Sequence, residues 1–282
     1  MSSDHAALVY ASEAQAALCT IVGIDGSFSR RCGAQLAVGR DGTLVGDMAD
    51  NCLQNELAAQ AAISAREGII KLLRYGKGSP FIDFRLPCGS GLDILIDPNP
   101  EMALLSGCVD DLAARKASAL PLPTPRGADH DLLRARQFIP GLRLLILGMG
   151  AECEAMQRQG SAAGVDVEWR RAGRDFALDT VPSGISADPW TAVLLLFHDH
   201  EWEHALLAWA LGTPAFYIGC QGGAQARISR LERLRAKGYD DAALSRVHSP
   251  VGLIPRARSP EVLALSILSE VVGAYEALHP HR

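Results

Sequence analysis

The chain has 282 residues, 48% of them apolar and 21% charged, which is material for one large soluble domain or two ordinary ones. Its net charge of −5 argues against nucleic-acid binding, with Lys and Arg scattered except for a modest cluster from Arg227 to Lys237, Arg230 included, that reads as the solvated face of a helix. No apolar run approaches the ~20 residues of a membrane span, residues 1–17 do not follow the pattern of a signal peptide, and an odd set of seven cysteines (19, 32, 52, 88, 108, 153 and 220) without zinc spacing fits a reducing cytoplasm.

In chain order, 18–24 is an apolar run ending at Asp25-Gly26, 34–38 is a second, and 44–46 resumes after the turn Gly39-Arg40-Asp41-Gly42. The alternation predicts β-structure with a hairpin. A helix is predicted over 52–75, capped by Asp50 or Asn51 and carrying Leu53, Ala59, Ile63, Ile70 and Leu73 at helical spacing. Strands at 81–86 and 92–96 follow, so 1–116 reads as an α+β domain. The Pro-dense stretch from Lys116 to Gly127 opens a linker expected over 117–140.

From residue 141 the pattern becomes strand, turn, helix, strand. Strands are predicted at 144–147, 165–169, 192–197 and 215–218, with helices over 151–163, 205–211, 224–236 and 259–274. Such alternation implies a parallel sheet, and hence a Rossmann-like α/β domain over 141–282.

Four constellations carry potential chemistry. Cys52 stands in the first turn of the long predicted helix, where the positive dipole end favours the thiolate that attacks sulfur or binds a soft metal. The competing reading is a small apolar residue at a joint, and Asp50 opposes ionisation. Cys88, in Leu86-Pro87-Cys88-Gly89-Ser90-Gly91, is a second thiol set among glycines. Gly148-Met149-Gly150 follows a buried strand and opens a helix, as a dinucleotide turn does, although Cys153 replaces the third glycine and Glu152 and Glu154 oppose phosphate. Arg170 and Arg171 at the next strand end suit a 2′-phosphate or another anion. His198-Asp199-His200 follows the next strand, either to donate protons or hydrogen bonds or simply to cap a helix. On the following strand–helix joint, Gly219-Cys220-Gln221-Gly222-Gly223 forms either an anion nest, with Arg227 in reach, or a tight turn.

Together these stretches resemble the XdhC/CoxI family over roughly 20–275. Gly26-Ser27-Phe28-Ser29-Arg30-Arg31-Cys32-Gly33-Ala34 is similar to the family's GSxPRxxGA segment. Cys52 matches the cysteine of GGCVE, and Leu86-Pro87-Cys88-Gly89 resembles its CGG stretch. Leu145 to Gly150 matches the Rossmann turn, His198-Asp199 the THD-like stretch, and Tyr217-Ile218-Gly219 with Gly222 the YIGxxGS loop. The tail Pro250-Val251-Gly252-Leu253, Ser259-Pro260-Glu261, Ala264, Ser266-Ile267 and Glu270 resembles PxGLxxGxxTPEEIAxSIxAE and is the most specific match. The loops depart from the family at Ser29, Cys32, Asp50, Asn51, Ala151 and Glu152, which makes this a diverged member.

The resemblance implies a maturation chaperone rather than a turnover enzyme. Such a protein binds the molybdenum cofactor (molybdopterin), shelters it during sulfur transfer by a cysteine desulfurase, and delivers it to a xanthine dehydrogenase-type molybdenum hydroxylase. It also implies a homodimer. Cys52 is then the molybdenum- or sulfur-facing thiol, with Cys88 and Gly89 beside it and Arg30 and Arg31 as phosphate partners. Gly148, Gly150, His198, Asp199, Gly219, Gly222 and Gly223 line a second ligand surface, with a nucleotide as one possible guest. Two alternatives stand: an NAD(P)-dependent oxidoreductase using Gly148, Gly150, Arg171 and His198, and a ligand-free scaffold.

Overall fold

The computed structural model describes residues 3–48, 51–80, 89–123 and 131–281, apart from the side chains of 3, 51 and 52. The chain forms two compact units, Met1–Pro140 with His279–Arg282, and Gly141–Leu278.

In chain order the first unit contains α1 (Ala6–Ala14), β1 (Ala17–Asp25), β2 (Gln35–Val38), β3 (Leu44–Gly46), α2 (Asn51–Glu67), β4 (Lys71–Gly76), β5 (Gly91–Asp97), α3 (Met102–Ala113), β6 (Ser118–Pro121) and β7 (Ala135–Phe138). Five strands form an antiparallel sheet in the order β3-β2-β1-β5-β4. Side chains alternate across a strand. Cys19 and Ile21 of β1 therefore pack with Leu53, Leu57 and Ala61 of α2. Leu18 faces the other way, toward Leu8 of α1, Leu105 of α3 and Phe138 of β7. Because both faces are covered, β1 reads as a continuous apolar run.

Two expectations need correction. The helix predicted over 52–75 ends at Glu67, and Lys71–Gly76 is an edge strand paired antiparallel with β5. Gly68 adopts φ +68°, the left-handed conformation that stops a helix at little cost. Apolar residues at 70, 72, 73 and 75 satisfy helix and strand periods alike, so periodicity could not see the break. The expected linker is also partly folded. Ser118–Pro121 pairs with Ala135–Phe138, and Leu120 and Phe138 are buried against α1 and α3. Pro121 sits in the terminal pair of this ribbon, where a missing N–H is tolerated. The strand predicted over 81–86 lies outside the described residues. Helices α1 and α3 escaped the sequence reading.

The second unit contains β8 (Arg143–Gly148), α4 (Ala151–Ala162), β9 (Asp166–Arg171), β10 (Thr191–Leu196), α5 (Glu203–Leu211), β11 (Tyr217–Cys220), α6 (Ala224–Ala236), α7 (Asp241–Ser245), β12 (Val247–His248) and α8 (Pro260–Glu276). The strands are all parallel, ordered β12-β11-β10-β8-β9. Every residue of β10 is buried, as a central strand covered on both faces requires. Val193 and Leu195 pack toward α5 and α6, while Ala192, Leu194 and Leu196 pack toward α4 and α8. The fold is therefore an antiparallel α+β unit and a Rossmann-like α/β unit. In the latter, the strand order reverses between β8 and β10, and ligands of such sheets bind outside the carboxyl ends of the strands at that point.

Candidate functional sites

In the first unit, β1 ends at Asp25, opposite Gly91 at the start of β5. Arg74 of β4 holds this end of the sheet together, donating from Nη1 to Asp93 (2.5 Å), from Nη2 to Asp25 (3.3 Å) and from Nε to the Lys77 carbonyl (2.8 Å). A Cβ on Gly91 would collide with that guanidinium, which accounts for the glycine. The loop after β1 is tied twice. Ser90 Oγ donates to the Ser27 carbonyl. Arg30 Nη2 donates to both oxygens of Asp47, at 2.8 and 2.7 Å. These bonds bring the Arg30 loop beside the segment leading into α2 and beside the neighbour of Gly89. Gly89 itself is exposed with φ +69°.

Cys52 lies in the first turn of α2, as expected, but its side chain is outside the description, and Cys88 is outside the described residues. Arg30 already has a carboxylate partner, both Asp47 oxygens accepting from its Nη2 while Nη1 donates to the Ser29 carbonyl, so an anionic ligand there would replace Asp47. Arg31 is half-buried and adds to the positive field on Arg136.

The described cysteines are poor nucleophiles. Burial pushes the thiols of Cys19, Cys153 and Cys220 up to about 12 and raises those of Cys32 and Cys108. Cys153, near the N-terminus of α4, is raised further by Glu152 and Glu154, so a helix terminus alone does not make a thiolate. Among the described residues, no three His, Cys, Asp or Glu side chains gather as a metal group.

In the second unit, the structure brings Gly148, Gly150, His198 and Asp199 to the carboxyl ends of β8 and β10, at the strand-order reversal. A Cβ on Gly148 would meet the Leu196 carbonyl and lie 2.8 Å from Cys153 Sγ, so this glycine permits strand–helix packing. Gly150 has φ +99°. The Glu152 carboxylate bends back over it, and its Oε1 lies 3.2 Å from His198 Nε2. The acid thus occupies the helix terminus that a pyrophosphate would use. Asp199 accepts from the Glu201 amide at 3.0 Å and acts as a cap. Arg170 pairs with Glu168, and Arg171 stacks 4.0 Å over Trp169. Each nucleotide-directed feature is therefore already engaged within the protein.

The Gly219–Gly223 turn opens α6 next door. Gly219 is packed against Tyr217, Val251 and Leu194, which leaves no room for a side chain. Gly222 takes φ +130° beneath His200, whereas Gly223 has open space around it. Arg227 does not face this turn as a free cation; it donates to the Ser249 carbonyl.

Sequence reasoning missed what lies behind the turn. Arg230, buried, donates from Nε and Nη2 to Glu203 at 2.8 and 2.9 Å, from Nη2 to the Gln221 carbonyl and from Nη1 to Ser249 Oγ. His200 Nδ1 lies 3.0 Å from the same carboxylate. This network locks the loop after β10, the turn after β11 and the loop after β12. The tail motif is structural too. Gly252, at φ +105°, donates to Glu270, Ile254 N to Ser266 Oγ, and Ser259 caps α8 ahead of Pro260.

A second unforeseen cluster closes the first unit. Asp4 accepts from Arg136 Nη2 and from His279 Nε2, and the Gln137 amide donates to His281 Nε2 at 2.8 Å. Burial opposes ionisation of Asp4, but His279 and Arg136 outweigh it and hold the carboxyl far below its usual range. Its members are scattered between residues 4 and 281, and no local pattern marks them.

Comparison with known proteins agrees with this architecture. A family model described as the XdhC Rossmann domain matches residues 144–271, and another, described as the XdhC and CoxI family, matches 9–76. The chain is 32% identical to the molybdenum cofactor insertion chaperone PaoD of Escherichia coli (strain K12), over 97% of this chain and 89% of that one. A crystal structure of a protein described as a xanthine dehydrogenase, from Bacillus halodurans, superposes with a TM-score of 0.74 at 20% identity. That alignment covers 99% of this chain and 97% of the other, and it shows the fold. With both units matched by family models and a relative aligned nearly end to end, the chain belongs to the XdhC and CoxI family.

Proposed function

We propose that this protein binds the molybdenum cofactor and inserts it into a xanthine dehydrogenase-type molybdenum hydroxylase. The observation that carries the reading is the alignment with an insertion chaperone across 97% of the chain, spanning both units. The chemistry is consistent with it. A molybdenum–sulfur centre calls for a soft donor, which a thiol at residue 52 provides, and a pterin phosphate calls for a guanidinium. In this reading the Arg30 loop, the start of α2 and Gly89 form the cofactor end. Arg30 releases Asp47 to take the phosphate, Arg31 adds positive field, and Cys88 is the second thiol. The Gly148, Gly150, His198 and Asp199 edge, with Gly219, Gly222 and Gly223, is the second contact surface.

The finer assignments follow from the same reading: sulfuration of the bound cofactor by a cysteine desulfurase, a homodimer, and a cytoplasmic location. Among the described residues, no helix is long and apolar enough to cross a membrane. The engaged state of Glu152, Arg170 and Arg171 favours neither a nucleotide nor an oxidoreductase.

The test is isolation from a cofactor-producing host, with molybdenum measured by elemental mass analysis and pterin by fluorescence after oxidation. Near-stoichiometric loading in wild type and its loss in Cys52→Ala are expected, together with falling hydroxylase activity in a deletion strain. A protein free of both molybdenum and pterin, with hydroxylase activity intact without it, would overturn the proposal.

A further inference from the structure

Helices α5 and α6 follow neighbouring parallel strands and lie side by side on one face of the second sheet. Between them is a cleft of about 360 Å³. That is within the range of small-molecule sites, roughly 300–1,000 Å³. Leu207 and Leu234 form its buried apolar floor, and the Glu203–Arg230 ion pair closes its base. Its rim carries Arg233 and Lys237, both exposed, and the half-buried His204.

Burial lowers the His204 pKa, Arg233 and Lys237 lower it further, and Asp179 and Glu201 act in the opposite sense. Its Nε2 is buried and has no hydrogen-bond partner among the described residues. Ala226 on the α6 wall also lines the cleft. The residues on each helix recur every three or four positions, so the cleft is elongated along the helix axes.

We infer that this cleft binds a small amphiphilic anion, with its apolar body on Leu207 and Leu234 and its carboxylate, sulfonate or phosphate between Arg233 and Lys237. An apolar floor alone would take a neutral ligand, and a rim of cations alone would take a simple ion; the combination selects a molecule with both parts. The site draws on neither Arg30 nor Cys52, so it stands or falls separately from the cofactor proposal.

The test is fluorescence titration with 1-anilinonaphthalene-8-sulfonate, with decanoate as competitor. Wild type is expected to bind one equivalent saturably, and decanoate to displace it. The double variant Arg233→Glu/Lys237→Glu should weaken binding at least tenfold. Ala226→Trp, which fills the cleft, should abolish it, while Cys52→Ala leaves it unchanged. Circular dichroism and Tm establish that each variant is folded. Absence of saturable binding to wild type, or binding that survives both the charge reversals and Ala226→Trp in folded protein, would overturn the inference.

Discussion

His198 Nε2 lies 3.2 Å from Glu152 Oε1, joining the loop after β10 to the first turn of α4. The contact spans the point where the strand order of the second sheet reverses. A Rossmann-type sheet would receive an anion there, and this one has placed a carboxylate instead. The acid complements the helix dipole and repels phosphate.

Glu152→Gln should therefore open the crevice to anions. A charge at a helix terminus is worth about 0.3–1 kcal/mol, so affinity for NADP⁺ or pyrophosphate should rise roughly two- to five-fold. Stability should change by less than about 1 kcal/mol, because the His198 partner is largely exposed. Calorimetric titration of both proteins reads the change, and equal affinities would show that the carboxylate does not control anion access.

The Glu203–Arg230 pair makes the opposite demand. Both side chains are at most 5% exposed, so truncating one strands the other. Glu203→Ala should cost about 3–5 kcal/mol and lower Tm by more than about 10 °C. Glu203→Leu/Arg230→Leu should recover only part of this, since Ser249 Oγ and the Gln221 carbonyl lose their donor. Thermal unfolding of the three proteins checks the order, and a single variant as stable as wild type would contradict it.

Acid should loosen the first unit through its C-terminal residues. Burial and the charge of Arg136 lower the His281 pKa to about 4, from an ordinary 6.5. A depressed histidine pKa means that the native state binds fewer protons than the unfolded chain between those values. Its contribution is complete above pH 6.5 and is lost as pH falls toward 4. The geometry agrees, because Nε2 must be unprotonated to accept from Gln137. Tm should fall on acidification through this window, and less steeply in His281→Gln. His5, His204 and His248 are shifted the same way, so the slope flattens rather than vanishes. Parallel Tm profiles of the two proteins would remove His281 from the account.

Two glycines of the second unit should respond differently to one methyl group. Gly148→Ala forces a Cβ against the Leu196 carbonyl and Cys153 Sγ, and overpacking of that kind costs about 1–3 kcal/mol. Gly223→Ala meets nothing within 4 Å and has an ordinary φ of −85°, so it should stay within about 0.5 kcal/mol of wild type. Chemical denaturation distinguishes them. If Gly223→Ala keeps its stability yet loses a bound ligand, that turn serves binding rather than packing.

Local sequence determined the elements whose pattern is unambiguous. Leu144 to Leu147 and the run Ala192 to Phe197 could only be strands covered on both faces, and Gly148 and Gly150 had to follow one of them. The order of motifs from Gly26 to Glu270 was enough for the family. It was not enough for the break at Gly68, because apolar residues at 70, 72, 73 and 75 satisfy two periods, and pairing with β5 settles the choice. Nor did it foretell the use of polar groups. Glu152 looked like an unfavourable neighbour of a phosphate site and is instead a partner of His198; Arg227 looked like an anion ligand and holds Ser249; Arg230 looked like a solvated cation and is buried on Glu203. Backbone conformation answers to neighbours in the chain, which a sequence displays. The partner of a charge is set by which residues the fold brings within about 3 Å, and for Glu152, Arg227 and Arg230 those residues lie 22 to 46 positions away along the chain.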